Sequence, residues 1–124
     1  MKMLHTCYRV KDLDASLKFY TEALGFTIKN RRDFPDDAFS LVYLVMPGDT
    51  HELELTYNHN HPGYDLGNGY SHIAVGTEDL EGLHEKHKAA GYKITNLSGL
   101  PGTAPSYYFI TDPDGYDIEV VRIK

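Results

Sequence analysis

Apolar and polar residues alternate over short runs in this chain, and the pattern is written twice. In residues 4–10, Leu4, Thr6, Tyr8 and Val10 share one face and His5, Cys7 and Arg9 the other, as expected of a half-buried strand. A helix is expected next, opened by Asp12 as N-cap and closed by Gly25, with Leu13, Leu17, Tyr20 and Leu24 in one apolar stripe. Strand-like runs follow at 26–28, 39–45 and 53–57, with Met46-Pro47-Gly48-Asp49 as a turn. The order then repeats. A strand at 70–75 leads to a helix between Asp79 and Gly91 with a weaker stripe of Leu80, Leu83, His87 and Ala90. Strands are expected at 92–95, 107–111 and 116–123, the last two split by Asp112-Pro113-Asp114-Gly115.

The repetition extends to individual residues. His5, Asp12 and Leu13 match His72, Asp79 and Leu80 at an offset of 67. Gly25-Phe26-Thr27-Ile28 matches Gly91-Tyr92-Lys93-Ile94 at 66, and Tyr43-Leu44-Val45 matches Tyr108-Phe109-Ile110 at 65. Leu53-Glu54-Leu55 matches Ile118-Glu119-Val120, also at 65. The expected fold is therefore α+β, two β-α-β-β-β modules from an internal duplication. The repeats cover about 1–58 and 69–124 within a single domain of 1–124, because a half of about 60 residues buries little surface alone. The polar stretch 58–69 is read as the linker between them.

Composition narrows the functional classes. The net charge is −6 with no run of Lys or Arg, so nothing here neutralises a row of phosphates, and no nucleic-acid partner is expected. No stretch reaches the roughly 18 apolar residues of a membrane span. The N-terminal residues lack an apolar signal segment, and Cys7 is the single cysteine, which excludes an internal disulfide. A cytoplasmic protein is the expectation.

The chemistry lies in the matched positions. Each half places one His on its first strand and one Glu on its last: His5 with Glu54, His72 with Glu119. A glutamate inside an apolar strand needs a partner, and a metal ion is a good one. Two-fold repetition can bring two imidazoles and two carboxylates to one point, a donor set suited to Ni, Co, Fe, Mn or Zn with positions left for water or substrate. Glu52 and Asp117 lie two residues before the favoured glutamates on the same face, nearer the turns, and are read as solvated. His51, His59 and His61 are read as exposed loop histidines, and His84 and His87 as decorating a helix face. Cys7 has no His-Asp partner to make it a nucleophile.

Longer motifs carry a resemblance. Leu4-His5-Thr6 with Arg9-Val10, Phe19-Tyr20 with Leu24-Gly25, Glu54-Leu55-Thr56-Tyr57-Asn58, Gly69-Tyr70-Ser71-His72-Ile73-Ala74 and Asp112-Pro113-Asp114-Gly115-Tyr116-Asp117-Ile118-Glu119 together resemble glyoxalase I, the lactoylglutathione lyase family of the vicinal oxygen chelate superfamily. The resemblance covers nearly the whole chain in the right order and implies paired β-α-β-β-β modules. It implies His5, Glu54, His72 and Glu119 as metal ligands, in a homodimer whose sites draw on both subunits. Short members without insertions point to Ni2+ as the metal, with Co2+ or Zn2+ as the alternatives. The implied reaction isomerises the methylglyoxal–glutathione hemithioacetal to S-D-lactoylglutathione through an enediolate. Glu119 or Glu54 serves as base in that reading, with Glu119 preferred. Arg9 and Asn58 match positions that hold the glutamyl end of the thiol. The chain departs from the family at residues 99–106, where no Lys or Arg stands, and at Asn68, where some members carry Arg. A cation for the glycyl carboxylate is therefore not located. The alternatives are another small thiol, an enzyme like methylmalonyl-CoA epimerase, or a non-enzymatic drug-binding protein. Retention of all four ligands argues against the last.

Overall fold

The computed structural model describes residues 1–124. The chain forms two compact units, Met1–Asp65 and Leu66–Lys124, and their boundary falls inside the polar stretch read as a linker.

The first unit runs β1 (His5–Val10), α1 (Leu13–Lys18), a π-helical turn (Phe19–Ala23), β2 (Thr27–Phe34), a 3-10 turn (Pro35–Asp37), β3 (Phe39–Val45) and β4 (Glu52–Asn58). Its sheet has the order β1-β4-β3-β2, with β1 parallel to β4 and the other pairs antiparallel. A parallel pair needs a long crossover, supplied here by α1 and the β2–β3 hairpin. Asp12 caps α1 by accepting from the Ala15 amide at 3.0 Å. Gly25, at φ +80°, takes the left-handed conformation that ends the helix.

Two expectations shift here. The inward stripe of the helix is Leu13, Ser16, Phe19, Tyr20 and Ala23, while Leu17 and Leu24 are half-buried. The π-helical turn holds more residues per turn than an α-helix, so Phe19 and Tyr20 both face inward and the later positions rotate. β2 is also longer than the three residues expected. Its extension, Lys29-Asn30-Arg31-Arg32-Asp33, is exposed on both faces and has no apolar alternation to reveal it. Pairing with β3 and a Phe34–Phe39 stack at 4.6 Å hold it in place.

The second unit runs β5 (His72–Thr77), α2 (Leu80–Ala89), β6 (Tyr107–Thr111) and β7 (Asp117–Arg122). The sheet order is β5-β7-β6, again with the His-bearing strand parallel to the Glu-bearing one. The strand expected at 92–95 is reduced to a bridge between Ile94 and Ile110, flanked by hydrogen bonds from Thr95 N to Phe109 O (2.9 Å) and Thr111 N to Lys93 O (3.0 Å). Pairing resumes only in a second bridge between Ser98 and Tyr107, and the stretch after it, with Gly99, Pro101, Gly102 and Pro105, forms no strand. Between β6 and β7, the buried Asp112 accepts from the amides of Asp114 (2.9 Å) and Tyr116 (2.8 Å), and Gly115 takes φ +98°. This Asx turn is the physical content of the Asp-Pro-Asp-Gly motif.

Each sheet buries one face. Tyr8, Val10, Val42, Leu44, Leu53 and Leu55 form the inner face of the first sheet, and Tyr108, Ile110, Ile118 and Val120 that of the second. The strand faces fall as the alternation predicts: inward residues flank the His and Glu positions, which turn outward. Leu55, wholly buried beside Glu54, sits in register with Tyr8 and Val42. Leu55→Ala should lower unfolding free energy by about 2–5 kcal/mol in urea titration. A loss below about 1 kcal/mol would mean the site-bearing strand is not anchored by this core.

Candidate metal centre

Strand register builds the site. Along β1 and β4, Cys7 lies opposite Glu54 and His5 opposite Glu52, so His5 reaches Glu54 along a diagonal. Along β5 and β7, Ala74 lies opposite Glu119 and His72 opposite Asp117, which gives the same diagonal. His5 Nε2 stands 3.9 Å from Glu54 Oε1, and His72 Nε2 stands 3.3 Å from Glu119 Oε1. Each unit thus brings together the His and Glu that the repeat predicted. No group of three or more His, Cys, Asp and Glu side chains is placed to hold a metal. Each pair is a candidate two-ligand half-site.

The half-sites suit a transition metal. Ligands at right angles with metal bonds of about 2.1 Å lie about 3 Å apart. The His72–Glu119 separation meets that nearly as it stands, and the His5–Glu54 pair needs a modest closure. Ser71 Oγ lies 2.6 Å from His72 Nδ1, an outer contact that fixes the ring and leaves Nε2 toward the carboxylate. An aromatic edge supports each imidazole: Tyr43 at 5.9 Å from His5 and Phe109 at 4.8 Å from His72, both near perpendicular.

Burial alone pushes the Glu54 carboxyl up. Hydrogen bonds from the Tyr43 phenol and the Cys7 thiol, with the charge of His5, outweigh it and leave the group below its ordinary range. In return the Tyr43 phenol, bonded to Glu54 and then partly buried, is pushed up to about 12. Burial raises the Cys7 thiol, which keeps it protonated as a donor, and the Thr56 hydroxyl lies 3.2 Å from its sulfur.

The competing residues are engaged elsewhere. Glu52, expected to be solvated, is paired with Lys29 at 2.5 Å, and Asp117 accepts from Thr111 Oγ1 at 2.8 Å. His51 contacts Thr6 Oγ1 at 3.0 Å, and His61 stacks on Tyr64 at 4.1 Å. His87, expected on the helix surface, is buried and bonded to the Tyr108 hydroxyl at 2.8 Å, while His84 bonds the Thr95 carbonyl at 2.9 Å. Arg9 follows His5 on the same exposed face of β1, and Asn58 ends β4 with its amide donating to the Tyr64 hydroxyl at 2.9 Å.

Two features escaped the sequence. One is the role of Tyr43. Matching of the halves pairs it with Tyr108, but the register sets Tyr43 opposite Glu54 and Phe109 opposite Glu119, so its counterpart is Phe109. The period-two alternation of β3, counted back from the turn, was the available signal. The other is a Ser-His-Asp contact group: buried Ser40 donates to Asp33 Oδ1 at 2.6 Å and lies 3.0 Å from His59 Nε2. Its hydroxyl proton is committed to the carboxylate, so the group braces the β2–β3 hairpin and is no nucleophile. The Ser40 hydrogen bond, with the Arg31 guanidinium second, holds Asp33 below the usual carboxylate range. Such a group contributes stability above the ordinary Asp pKa of about 3.9 and loses it as pH falls through the depressed folded value. Ser40→Ala should therefore raise the Asp33 pKa in carboxyl-carbon NMR titration and remove that acid-side contribution. An unmoved Asp33 titration would contradict the role given to Ser40.

Comparison with known proteins places this geometry. The sequence profile of the Glyoxalase/Bleomycin resistance protein/Dioxygenase superfamily matches residues 2–120. The chain is 38% identical over 127 residues to a lactoylglutathione lyase of Neisseria meningitidis serogroup A, covering 100% of this chain and 92% of that protein. It is 37% identical over 124 residues to lactoylglutathione lyase GLX1 of Arabidopsis thaliana, but there it spans only 44% of the plant protein's length, against 98% of its own. Its fold is similar to that of the trypanothione-dependent glyoxalase I of Leishmania major, with a TM-score of 0.87 and 38% identity over 98% of this chain and 86% of that one. A duplicated β-α-β-β-β pattern, a His–Glu pair in each copy and these likenesses converge on one conclusion: the chain belongs to the glyoxalase/bleomycin resistance protein/dioxygenase superfamily, among its glyoxalase I relatives.

Proposed function

We propose that the protein is a metal-dependent lactoylglutathione lyase that converts the methylglyoxal–glutathione hemithioacetal to S-D-lactoylglutathione. The observation that carries this reading is the recurrence of one diagonal His–Glu pair in each unit, alongside near full-length similarity to a lyase of this kind.

His5, Glu54, His72 and Glu119 would hold one divalent cation, Ni2+ by preference, with Co2+ or Zn2+ as alternatives. A cation there supplies Lewis-acid stabilisation of negative charge developing on the two adjacent substrate oxygens. The rest falls to the side chains. Glu119 takes the proton from the hemithioacetal carbon and returns it to the neighbouring carbon, and Glu54 remains a ligand. Arg9 offers a guanidinium fork to the carboxylate at the glutamyl end of the thiol, and Asn58 an amide beside it. With no cation in residues 99–106, the glycyl end is held less strongly than the glutamyl end.

Completion of the four-ligand site is assigned to a homodimer. A single chain places no three ligands together. The His-bearing strands β1 and β5 each form an open edge of their sheet, and Met3, Leu4 and Tyr70, exposed large apolar residues, lie just ahead of those histidines. Unpaired edges with apolar flanks are normally covered. The chain holds no helix long and apolar enough to cross a membrane. We place it in the cytoplasm, acting on small molecules.

The metal-stripped protein should recover thioester formation from the preformed hemithioacetal when Ni2+ or Co2+ is added, and should run as a dimer on gel filtration. Stoichiometric metal binding without turnover would remove the reaction and leave the site, and the adduct of a different thiol would be tried next. Glu119→Gln, loaded with metal to the parent level, should lose about 10² to 10⁴ in kcat. Near-normal turnover by that variant would transfer the base to another group.

A further inference from the structure

Beyond the His–Glu pair, the outward face of the first sheet carries a row of side chains with an arginine at each end. Strand register aligns Arg9 with Thr56, Thr56 with Leu41, and Leu41 with Arg32, so the row crosses all four strands from β1 to β2. Val42 and Leu44, on the other face of β3, are wholly buried, which turns Leu41, Tyr43 and their partners outward. The row lies two residues along the strands from Glu54 and Tyr43, which also stand in register. Arg32 falls in the part of β2 that is exposed on both sides, and pairing with β3 is what places it on this face.

The cations of this sheet are not equally engaged. Arg31, on the opposite face, pairs with Asp33 at 3.2 Å. Lys29 pairs with Glu52 at 2.5 Å, in a cavity of about 440 Å³ that Lys2 also lines, so the positive charge there already meets a carboxylate. Arg32 pairs with no carboxylate. Its guanidinium carbon lies 5.1 Å from the centre of the Phe34 ring, and Phe34 stacks on Phe39 at 4.6 Å. A guanidinium laid on an aromatic face has its position narrowed while the donors at its edge stay open.

We propose that Arg32 is a substrate-binding residue: with Arg9 it forms a two-ended clamp for a dicarboxylate thiol, Arg9 taking the carboxylate of the glutamyl end and Arg32 that of the glycyl end. Three strand spacings put the two arginine backbones about 14 Å apart. A tripeptide chain extends to about 10–11 Å, and a hydrogen bond of about 3 Å at either end covers the remainder. A ligand lying across the row sets its middle, thiol-bearing residue above Thr56 and Leu41. The group carried on sulfur then points along the strands toward Glu54, about 6–7 Å away. Arg32 thus supplies the cation that residues 99–106 and Asn68 do not. A single exposed guanidinium holds that end less strongly than Arg9 and Asn58 together hold the other. The identity of the ligand rests on the reaction proposed above; the selection of a carboxylate by Arg32 is tested by binding, without turnover.

The probes are S-methylglutathione and its glycine amide, which differ only in whether the glycyl end carries a charge. Binding of each to the full chain, loaded with Ni2+, is measured by calorimetry, and the thermal midpoint checks folding. The parent should bind S-methylglutathione about tenfold more tightly than the amide. Arg32→Gln should bind the two alike, both near the parent's affinity for the amide, with a parent-like thermal midpoint. Arg32→Lys, which keeps the charge without the fork, should recover part of the preference. In turnover, Arg32→Gln should raise KM for the hemithioacetal about tenfold and leave kcat little changed, a split that a mere brace of the hairpin would not produce. A parent that does not distinguish the two probes, or binds neither, would overturn the proposal, as would a folded Arg32→Gln protein that keeps the preference. A preference lost in Arg32→Gln, in a protein that binds S-methylglutathione but does not isomerise the adduct, would count against the reaction and support the clamp.

Discussion

The parallel pairing of the first and last strand of each unit is the constraint from which the site follows. A parallel ladder with Cys7 opposite Glu54 leaves His5 two residues back on the same outward face, and the same holds for Ala74, Glu119 and His72. Side chains at such diagonal positions are within reach of one another, and all of them point away from the core. A slip of one residue in either pairing would turn the glutamate inward, against Leu44 or Ile110. The core defends the register: Leu53 and Leu55 bracket Glu54, and Ile118 and Val120 bracket Glu119, all buried at 2% exposure or less. Packing on the inner faces thus fixes where the His and Glu pairs stand on the outer ones.

The same placement engages several polar groups elsewhere. Sequence position alone left Glu52 and Asp117 as rivals of the favoured glutamates. In the fold, Lys29 from the exposed β2 reaches Glu52, and Thr111 reaches Asp117. His87 is consumed in the interior by Tyr108, and His59 by the β2–β3 hairpin. The four residues that remain facing one another in pairs are those the repeat singles out.

Much of this was legible in the sequence, and the unreadable part has physical reasons. Alternation revealed β1, β3, β4 and β7 because each has one dry and one wet face, and period-two spacing is the direct record of that. The far half of β2 has two wet faces and left no such record. The strand expected at 92–95 shrinks to the Ile94–Ile110 bridge, with a second bridge to β6 only at Ser98. The α1 stripe was misjudged because the helix changes pitch after Lys18, a tertiary accommodation that fixed 3.6 periodicity does not foresee. The His–Glu pairs were readable because duplication offers each residue a second copy as a check. Tyr43 was not, because matching the halves by similarity set tyrosine against tyrosine, whereas the ladder sets it against Phe109.

That mismatch bears on how a duplicated site acquires direction. Two identical halves would present two identical His–Glu pairs, and the reaction proposed above would need them to differ. Equivalence must be broken without losing ligands. Substitution of a ligand itself would cost metal affinity outright. Substitution of its neighbours in register changes the surroundings of a carboxylate and leaves the His and Glu themselves intact. Tyrosine and phenylalanine differ by one oxygen and share the ring that holds the histidine edge-on, so the change preserves packing in both units. Cys7 and Ala74 are likewise close in size and differ in one donor. The difference between the units is confined to which in-register neighbours carry a donor: Tyr43 and Cys7 do, Phe109 and Ala74 do not. In a fold where packing fixes the backbone, the in-register neighbours of a ligand are where function can diverge at least cost to stability.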